Sequence, residues 1–469
     1  IMKAVIMAGG FGTRMRPLTC NVPKPMVPVA NKPIMEHIVR LLKAHHITEI
    51  VAILYYQPEI IQNYFDNGKR FGVNIEYVTA VEDLGTAGSV RNAAEYLDEP
   101  FIIISGDVLT DFNLSNIINF HQEKAALTTI TLTRVKNPLQ YGIVIVSPDG
   151  KIERFLEKPG WGEVFSDTIN TGIYVLEPET FKYIPENKEF DFSKNLFPRL
   201  LEENGALCGY IASGYWRDIG NLEEYRLAHY DILSNKVSLD IQGLKKDKNL
   251  WVGKGTELSD NVHLEHGVII GNDCRIGEGV KLVNSVIGNN CIIEGNSQIT
   301  NSVIWDETFI ALGCELNENV VASNVTIGRN AILKEGALIS DGCSIGENSV
   351  LRANVKVWPF KQVEAGATLS SSLIWGEKWG RSLFGTGGVV GLANMEITPE
   401  FAAKLGAAYG ASFSPNTAVI TSRDSHKVSR MINRALISGI LSVGTNVWDL
   451  GAIPMPVARY QAGTMGDQG

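Results

Sequence analysis

KAVIMAGGFGTRMRPLT, residues 3–19, is the stretch from which the fold can be read. Lys3–Ala8 is an apolar, strand-like run, and it gives way at once to Gly9, Gly10, Phe11 and Gly12. Glycines directly after a strand let backbone N–H groups close around phosphate oxygens, and the cations Arg14 and Arg16 add charge where a triphosphate would lie. Two other phosphate-loop patterns fail on spacing. A GxGxxG fingerprint needs glycine where Met15 stands, and the GK[ST] of a Walker loop is absent. A glycine-rich loop alone can be no more than a tight turn. Ten residues past Arg14, however, VPKPM (22–26) holds Lys24 between prolines that stiffen the backbone. A lysine fixed in this way can oppose charge that develops at a phosphorus under attack.

Outward from this loop, residues 1–240 alternate Val/Ile-rich runs with helical patterns: IMEHIVRLLKAHHI, EIVAILYY, a helix near 58–70, NIEYVTA, a helix near 88–97 and FIIISGD. The alternation predicts an α/β domain with a doubly wound, mostly parallel sheet. Ligands of such sheets gather at the carboxyl ends of the strands. Both the Ala8–Gly12 loop and Ser105-Gly106-Asp107 fall there.

Residues 250–375 carry an internal repeat. Aliphatic side chains recur every six positions at Val252, Leu258, Leu264, Ile270, Ile276 and Leu282, and again from Ile327 through Leu333, Ile339, Ile345, Leu351, Val357 and Val363 to Leu369. In the middle, one step per coil shortens to five, as from Leu282 to Ile287. The period predicts a left-handed parallel β-helix. Its register stacks Cys274 on Cys291 with Thr308 next, so these cysteines read as rung residues. Residues 378–469 return to α/β character, with helices over PEFAAKLGAAYGA and near 428–442 and strands at TAVITSRD and NVWDLG, which amounts to a partial domain.

Composition limits the function. A 469-residue chain predicts two or three domains; 45% hydrophobic and 20% charged residues are those of a soluble globular protein. No apolar run approaches the roughly 20 residues of a membrane span, and no leader is visible, so a cytoplasmic protein without a membrane partner is expected. A net charge of −9 without a basic block argues against nucleic acid. The six scattered cysteines lack CxxC spacing, against zinc or a disulfide framework. His37, His45 and His46 read as surface or packing residues.

The loop together with PKPMVPVANKP resembles the sugar-phosphate nucleotidyltransferase family, and within it the mannose-1-phosphate guanylyltransferase-like members. LGTAGSV (84–90), SGDVL (105–109), YGIV (141–144), EKP (157–159), INTGIYVLEP (169–178) and WRDIG (216–220) extend the match. The resemblance implies transfer of a nucleotidyl group from a nucleoside triphosphate, GTP by preference, to a sugar 1-phosphate, mannose 1-phosphate by preference. It places Ala8, Gly9, Gly10, Gly12 and Thr13 around the nucleotide, Gly85 and Thr86 by the base, Arg14 on the departing pyrophosphate and Lys24 at the α-phosphate. It gives Asp107 and Asp218 to Mg²⁺, which suits a hard cation taking one or two carboxylates plus phosphate oxygens. Gly142, Glu157, Lys158, Asn170 and Gly172 fall to the sugar phosphate. Asp218 has another reading, as cap of the helix beginning near Leu222.

Alternatives remain open at this level. Adenylyl-, uridylyl- and thymidylyltransferases of glucose 1-phosphate share the architecture, as do non-catalytic regulatory homologues. An acyltransferase of the hexapeptide type would need His263 or His266. The β-helix suggests a homo-oligomer. WGRSLFGTGGVVG and ITSRDSHKVS resemble the opening domain of the phosphomannomutase/phosphoglucomutase family, but PMPVARYQAG is followed by no TASHNP-like serine. Ser422, Ser425 and Ser429 are expected to cap the next helix, and the segment reads as a truncated or vestigial module without mutase activity.

Overall fold

The computed structural model describes residues 2–203, 205–247, 249–380, 383–384, 387–414 and 417–465. Strands Lys3–Ala8, Glu49–Leu54, Asn74–Thr79 and Phe101–Ser105 lie parallel, with Lys3–Ala8 between Phe101–Ser105 and Glu49–Leu54. Lys3–Ala8, Glu49–Leu54 and Phe101–Ser105 are largely buried on both faces, which is why they read as apolar runs, whereas Asn74–Thr79 lies at the sheet edge and exposes Asn74, Glu76 and Thr79. Successive side chains feed opposite layers: Ala4, Ile6 and Ala8 join one core and Val5 the other.

The sheet has nine strands, and beyond Phe101–Ser105 it becomes mixed, with Thr168–Leu176 and Ile152–Glu157 running against the others. Thr168–Leu176 runs antiparallel to Phe101–Ser105 and to Thr128–Arg134, and Gly142–Val146 with Ile152–Glu157 forms an antiparallel pair. The expected parallel core is present, and the second half is mixed. For the pair Gly142–Val146 and Ile152–Glu157 the reason is local: Pro148, Asp149 and Gly150 make a tight turn between two short strands, and a turn that short returns the chain antiparallel. Outside this sheet, Val108–Thr110 pairs antiparallel with Trp216–Asp218, which sets Asp218 opposite Val108.

The repeat forms a parallel β-helix. Its inward aliphatics stack in columns: Leu258, Ile276, Ile293, Ile310, Ile327, Ile345 and Val363 on one face, and Leu264, Leu282, Ile299, Leu316, Leu333, Leu351 and Leu369 on another. A third runs Val252, Ile270, Ile287, Ile304, Val321, Ile339 and Val357. Many corners use asparagine in the left-handed region, including Asn290, Asn324 and Asn348. Cys274 and Cys291 are rung residues, as expected: their thiols donate to the Gly288 and Trp305 carbonyls, and the Thr308 hydroxyl donates likewise to Ala322.

In the third segment, helices Pro399–Gly410 and Lys427–Ser442 pack beside the parallel strands Ala418–Arg423 and Asn446–Ala452. The expected serine cap is not formed. His426 occupies the cap position of the second helix without a side-chain cap bond, and its N–H is taken by the Asp424 carboxylate at 2.8 Å. That carboxylate is the stronger acceptor in the turn.

The columns make a prediction. Ile293→Ala empties a fully packed rung and should cost about 2–5 kcal/mol, whereas the half-exposed neighbour Ile292→Ala should cost less than about 1 kcal/mol. Chemical denaturation followed by β-sheet circular dichroism measures both.

Candidate active site

The site lies at the carboxyl ends of the parallel strands. After Ala8 the chain turns through Gly12, whose φ is +62°; its carbonyl accepts from the Met15 N–H at 2.9 Å and the Thr19 hydroxyl at 2.7 Å. A side chain at Gly12 would press on Lys24 Cβ and Thr19 at 3.1 Å, so glycine there is what lets the loop lie against the lysine. Gly106 follows the neighbouring parallel strand Phe101–Ser105, and a Cβ added there would meet the Met7 carbonyl at 2.8 Å. This close approach delivers Asp107 to the loop.

Lys24, only 7% exposed, is the centre of the site. Its ammonium pairs with Asp107 Oδ2 and stands 3.9 Å from Asp218 Oδ1, an oxygen that is buried without a hydrogen-bond partner. Arg14 lies beside the same carboxylate, its Nη2 within 3.1 Å of the position a side chain at Gly220 would take. Burial, and secondly the Asp107 charge, push the Asp218 carboxyl up to about 6 against the pull of Lys24 and Arg14. Asp218 does not cap the helix Leu222–Leu233; Asn221 does, accepting from the Glu224 N–H at 2.9 Å.

From this centre opens a cleft of about 720 Å³ whose lining includes Arg14, Thr86, Asp107, Gly142, Glu157, Lys158, Asn170, Gly172 and Asp218. Lys24 forms ion pairs beneath it, while Ala8, Gly9, Gly10, Gly12 and Thr13 make the adjoining loop and stand outside that lining. Gly85 opens the short helix Gly85–Arg91 beside the cleft. Burial raises the Glu157 carboxyl, with Lys158 opposing. Asn170 donates to Tyr174 and Ser193 and accepts from the Gly172 N–H at 3.0 Å. The Thr86 hydroxyl is engaged internally: it donates to Asp191 and accepts from the Phe192 N–H, both at 3.0 Å.

Sequence reasoning missed Tyr141, Ser193, Trp216 and Asn221, which also line the cleft, as does Ser105 of the strand end already singled out. Tyr141 and Trp216 lay inside quoted motifs and meet edge to face at 5.4 Å, while the Trp216 indole donates to the Thr171 carbonyl at 2.9 Å. Ser193 had no local signal. The histidines suggested for acyl transfer, His263 and His266, are exposed on the first coil and lie outside the cleft.

The donor set fits a hard divalent cation: two carboxylates converge, one with an unpartnered buried oxygen, beside a cleft able to take phosphate oxygens. Among the described residues no group of three or more His, Cys, Asp or Glu side chains is placed to hold a metal, so further ligands would come from substrate or solvent. No described helix is long and apolar enough to cross a membrane.

An α/β sheet with a glycine-rich loop at its strand ends and a cluster of two carboxylates and a lysine is the frame of a phosphoryl-handling transferase class. Residues 3–235 match the family model "Nucleotidyl transferase", residues 247–351 "EIF2B subunit epsilon LbH domain", and residues 381–469 "Phosphoglucomutase/phosphomannomutase, alpha/beta/alpha domain I". The chain is 36% identical to the UTP–glucose-1-phosphate uridylyltransferase of Synechocystis sp., over 60% of this chain and 77% of that one. It is 32% identical to mannose-1-phosphate guanylyltransferase 1 of Arabidopsis thaliana over 72% and 84% of the two chains, and 30% identical to the mannose-1-phosphate guanyltransferase of Gibberella zeae over 80% and 100%. The chain belongs to the sugar-phosphate nucleotidyltransferase family, with mannose-1-phosphate guanylyltransferases among its homologues. Enzymes of this family act on a nucleoside triphosphate and a sugar 1-phosphate, and they generally use a divalent metal.

Asp218 yields a pH prediction. The unfolded chain releases this proton near 3.8, while the folded chain holds it to about 6. The folded state therefore binds the extra proton between those values, and this carboxyl lowers stability as pH rises through them. Asp218→Asn should be more stable than the parent at pH 7.5 by up to about 2 kcal/mol, with the difference vanishing near pH 4. Thermal melts across that range test it.

Proposed function

We propose that this chain makes a nucleotide sugar at this cleft, with GTP and mannose 1-phosphate as the preferred pair. An oxygen of the sugar phosphate attacks the α-phosphorus; the new P–O bond forms as the bond to the bridging oxygen breaks, and pyrophosphate leaves with that electron pair. The attacking group is already an anion, so catalysis is mainly alignment of two anions and neutralisation of charge. The observation that carries this reading is the Lys24–Asp107–Asp218 cluster, with Arg14 beside it and Glu157, Lys158 and Asn170 along the same cleft.

In this reading the backbone from Ala8 to Thr13 cradles the triphosphate, Arg14 holds the departing pyrophosphate, and Lys24 neutralises charge at the α-phosphate. Gly85 and Thr86 lie by the base, with the hydroxyl and the backbone N–H of Thr86 both donated to Asp191, which fixes the start of that helix. Gly142, Glu157, Lys158, Asn170 and Gly172 receive the sugar phosphate, Lys158 pairing with the phosphate and Glu157 accepting from sugar hydroxyls. Asp107 and Asp218 would hold Mg²⁺, which when bound supplies Lewis-acid neutralisation of phosphoryl oxygens. A cytoplasmic homo-oligomer completes the proposal; light scattering of the purified chain checks the assembly state, and a monomer would remove that part.

The guanylyltransferase homologues support GTP and mannose 1-phosphate. The Synechocystis relative, named for UTP and glucose 1-phosphate, favours a second reading in which this chain is a uridylyltransferase. Pyrophosphate release measured for five nucleoside triphosphates against mannose 1-phosphate and glucose 1-phosphate separates the two, and the fastest rate is expected with GTP and mannose 1-phosphate. Asp107→Asn should lower that rate by roughly a hundred- to a thousandfold, because a lost metal carboxylate removes several kcal/mol of charge stabilisation. A turnover close to the parent's would remove Asp107 from the mechanism.

A further inference from the structure

We propose that the β-helix is a working part of the active site: it holds the segment bearing Arg14 and Lys24 in position, with Ser340 and Trp305 as positioning residues. The inference rests on the nucleotidyl-transfer reading and adds a role for coils that lie far from the phosphates.

Three hydrogen-bonded ties reach from the coils to residues 17–31, the stretch that contains Lys24 and begins three residues after Arg14. Ser340, fully buried, donates its hydroxyl to the Pro17 carbonyl at 3.1 Å, and that carbonyl also accepts the Cys20 N–H at 3.2 Å. The Trp305 indole donates to the Tyr225 hydroxyl at 2.9 Å, which in turn donates to the Pro28 carbonyl at 2.7 Å. Asn31 donates its amide to the Ile287 carbonyl at 2.7 Å. Pro17 and Pro28 thus bracket Lys24, each held from the rear by a side chain whose buried end is out of water.

Apolar packing joins the same surfaces. Trp251, Ile269, Val286, Val303, Trp305 and Leu338 of the coils belong to one core with Met15, Leu18, Met26 and Val27 of the loop segment. A hydrogen bond at such a site has no solvent substitute, so losing the Ser340 donor leaves the Pro17 carbonyl only the Cys20 N–H of its own turn, losing the indole leaves the Tyr225 hydroxyl without its donor, and either loss frees the loop. Phosphate binding by backbone N–H groups needs those groups held in place beforehand. The coils therefore act on the affinity for the triphosphate arm, while the sugar-phosphate end of the cleft, built on Gly142–Val146, Ile152–Glu157 and Thr168–Leu176, stands apart from these ties.

The test compares Ser340→Ala and Trp305→Phe with Ser349→Ala. The last removes an equally buried coil hydroxyl that donates to the Glu364 carbonyl at 2.9 Å, with no tie to the loop. Hydrogen exchange of the unliganded full chain should accelerate at the amides of residues 12–16, 18–20, 26 and 27 in the first two variants and remain at the parent's rate there in the third. Binding of GTP, with inorganic pyrophosphate as a second probe, should weaken by about two- to tenfold in the first two variants, the range of one lost hydrogen bond, with KM for the sugar 1-phosphate unchanged. Unaltered loop exchange, equal acceleration in Ser349→Ala, or a freed loop with parental affinity would each overturn the proposal. A parent chain that binds no triphosphate would instead overturn the nucleotidyl-transfer reading, and the exchange result would still decide the brace.

Discussion

Lys24, Asp107 and Asp218 come from three distant parts of the chain, and much of the surrounding structure serves to bring them together. The ammonium pairs with Asp107 and faces Asp218 at 3.9 Å, leaving two carboxylates close enough that burial and mutual repulsion raise the Asp218 carboxyl. Such a cluster opposes folding unless the backbone around it is firmly placed. The firm placement is visible at each arm. Gly12 lets the loop lie on Lys24, Gly106 lets the turn before Asp107 touch the first strand, and pairing of Val108–Thr110 with Trp216–Asp218 aligns the third member.

Behind Asp218, the neighbouring Arg217 faces another group of partners. Its guanidinium bonds the Tyr215 hydroxyl, Glu224 and Asp231, and Asp231 also accepts from Lys236. The short strand bearing Asp218 is thus tied to the helix Leu222–Leu233, and that helix carries Tyr225, which bonds both Trp305 of the coils and the Pro28 carbonyl. Strain created at the ion cluster is therefore opposed by a network that spans both domains. A charge cluster of this kind sacrifices local stability for preorganisation, and the surrounding core compensates.

The β-helix gains its regularity from a different source. Each inward aliphatic packs on the one a coil above and below, and shortening one step leaves the columns intact because the change is absorbed at a corner. Straight columns hold Ile287, Trp305 and Ser340 on one flank, at the heights of Asn31, Tyr225 and Pro17. Repetition thus supplies a rigid surface, and three departures from mere repetition on that surface connect it to the loop.

Periodicity and local motif carried much of the reading from sequence alone. The hexapeptide columns, the parallel strands and the residues Arg14, Lys24 and Asp107 were legible because each depends on neighbours a few positions away: a six-residue step, an apolar run, a glycine after a strand. Tertiary structure decided what depends on distant segments. The reversal of Thr168–Leu176 against Phe101–Ser105, Asn221 rather than Asp218 as the helix cap, Ser193 in the cleft, the Thr86 hydroxyl bound to Asp191, and Ser340 against Pro17 all arise from contacts that no local spacing encodes. The physical reason is that backbone propensity and side-chain period act over a few residues, whereas burial and hydrogen-bond satisfaction are settled only when chain segments hundreds of residues apart exclude water together.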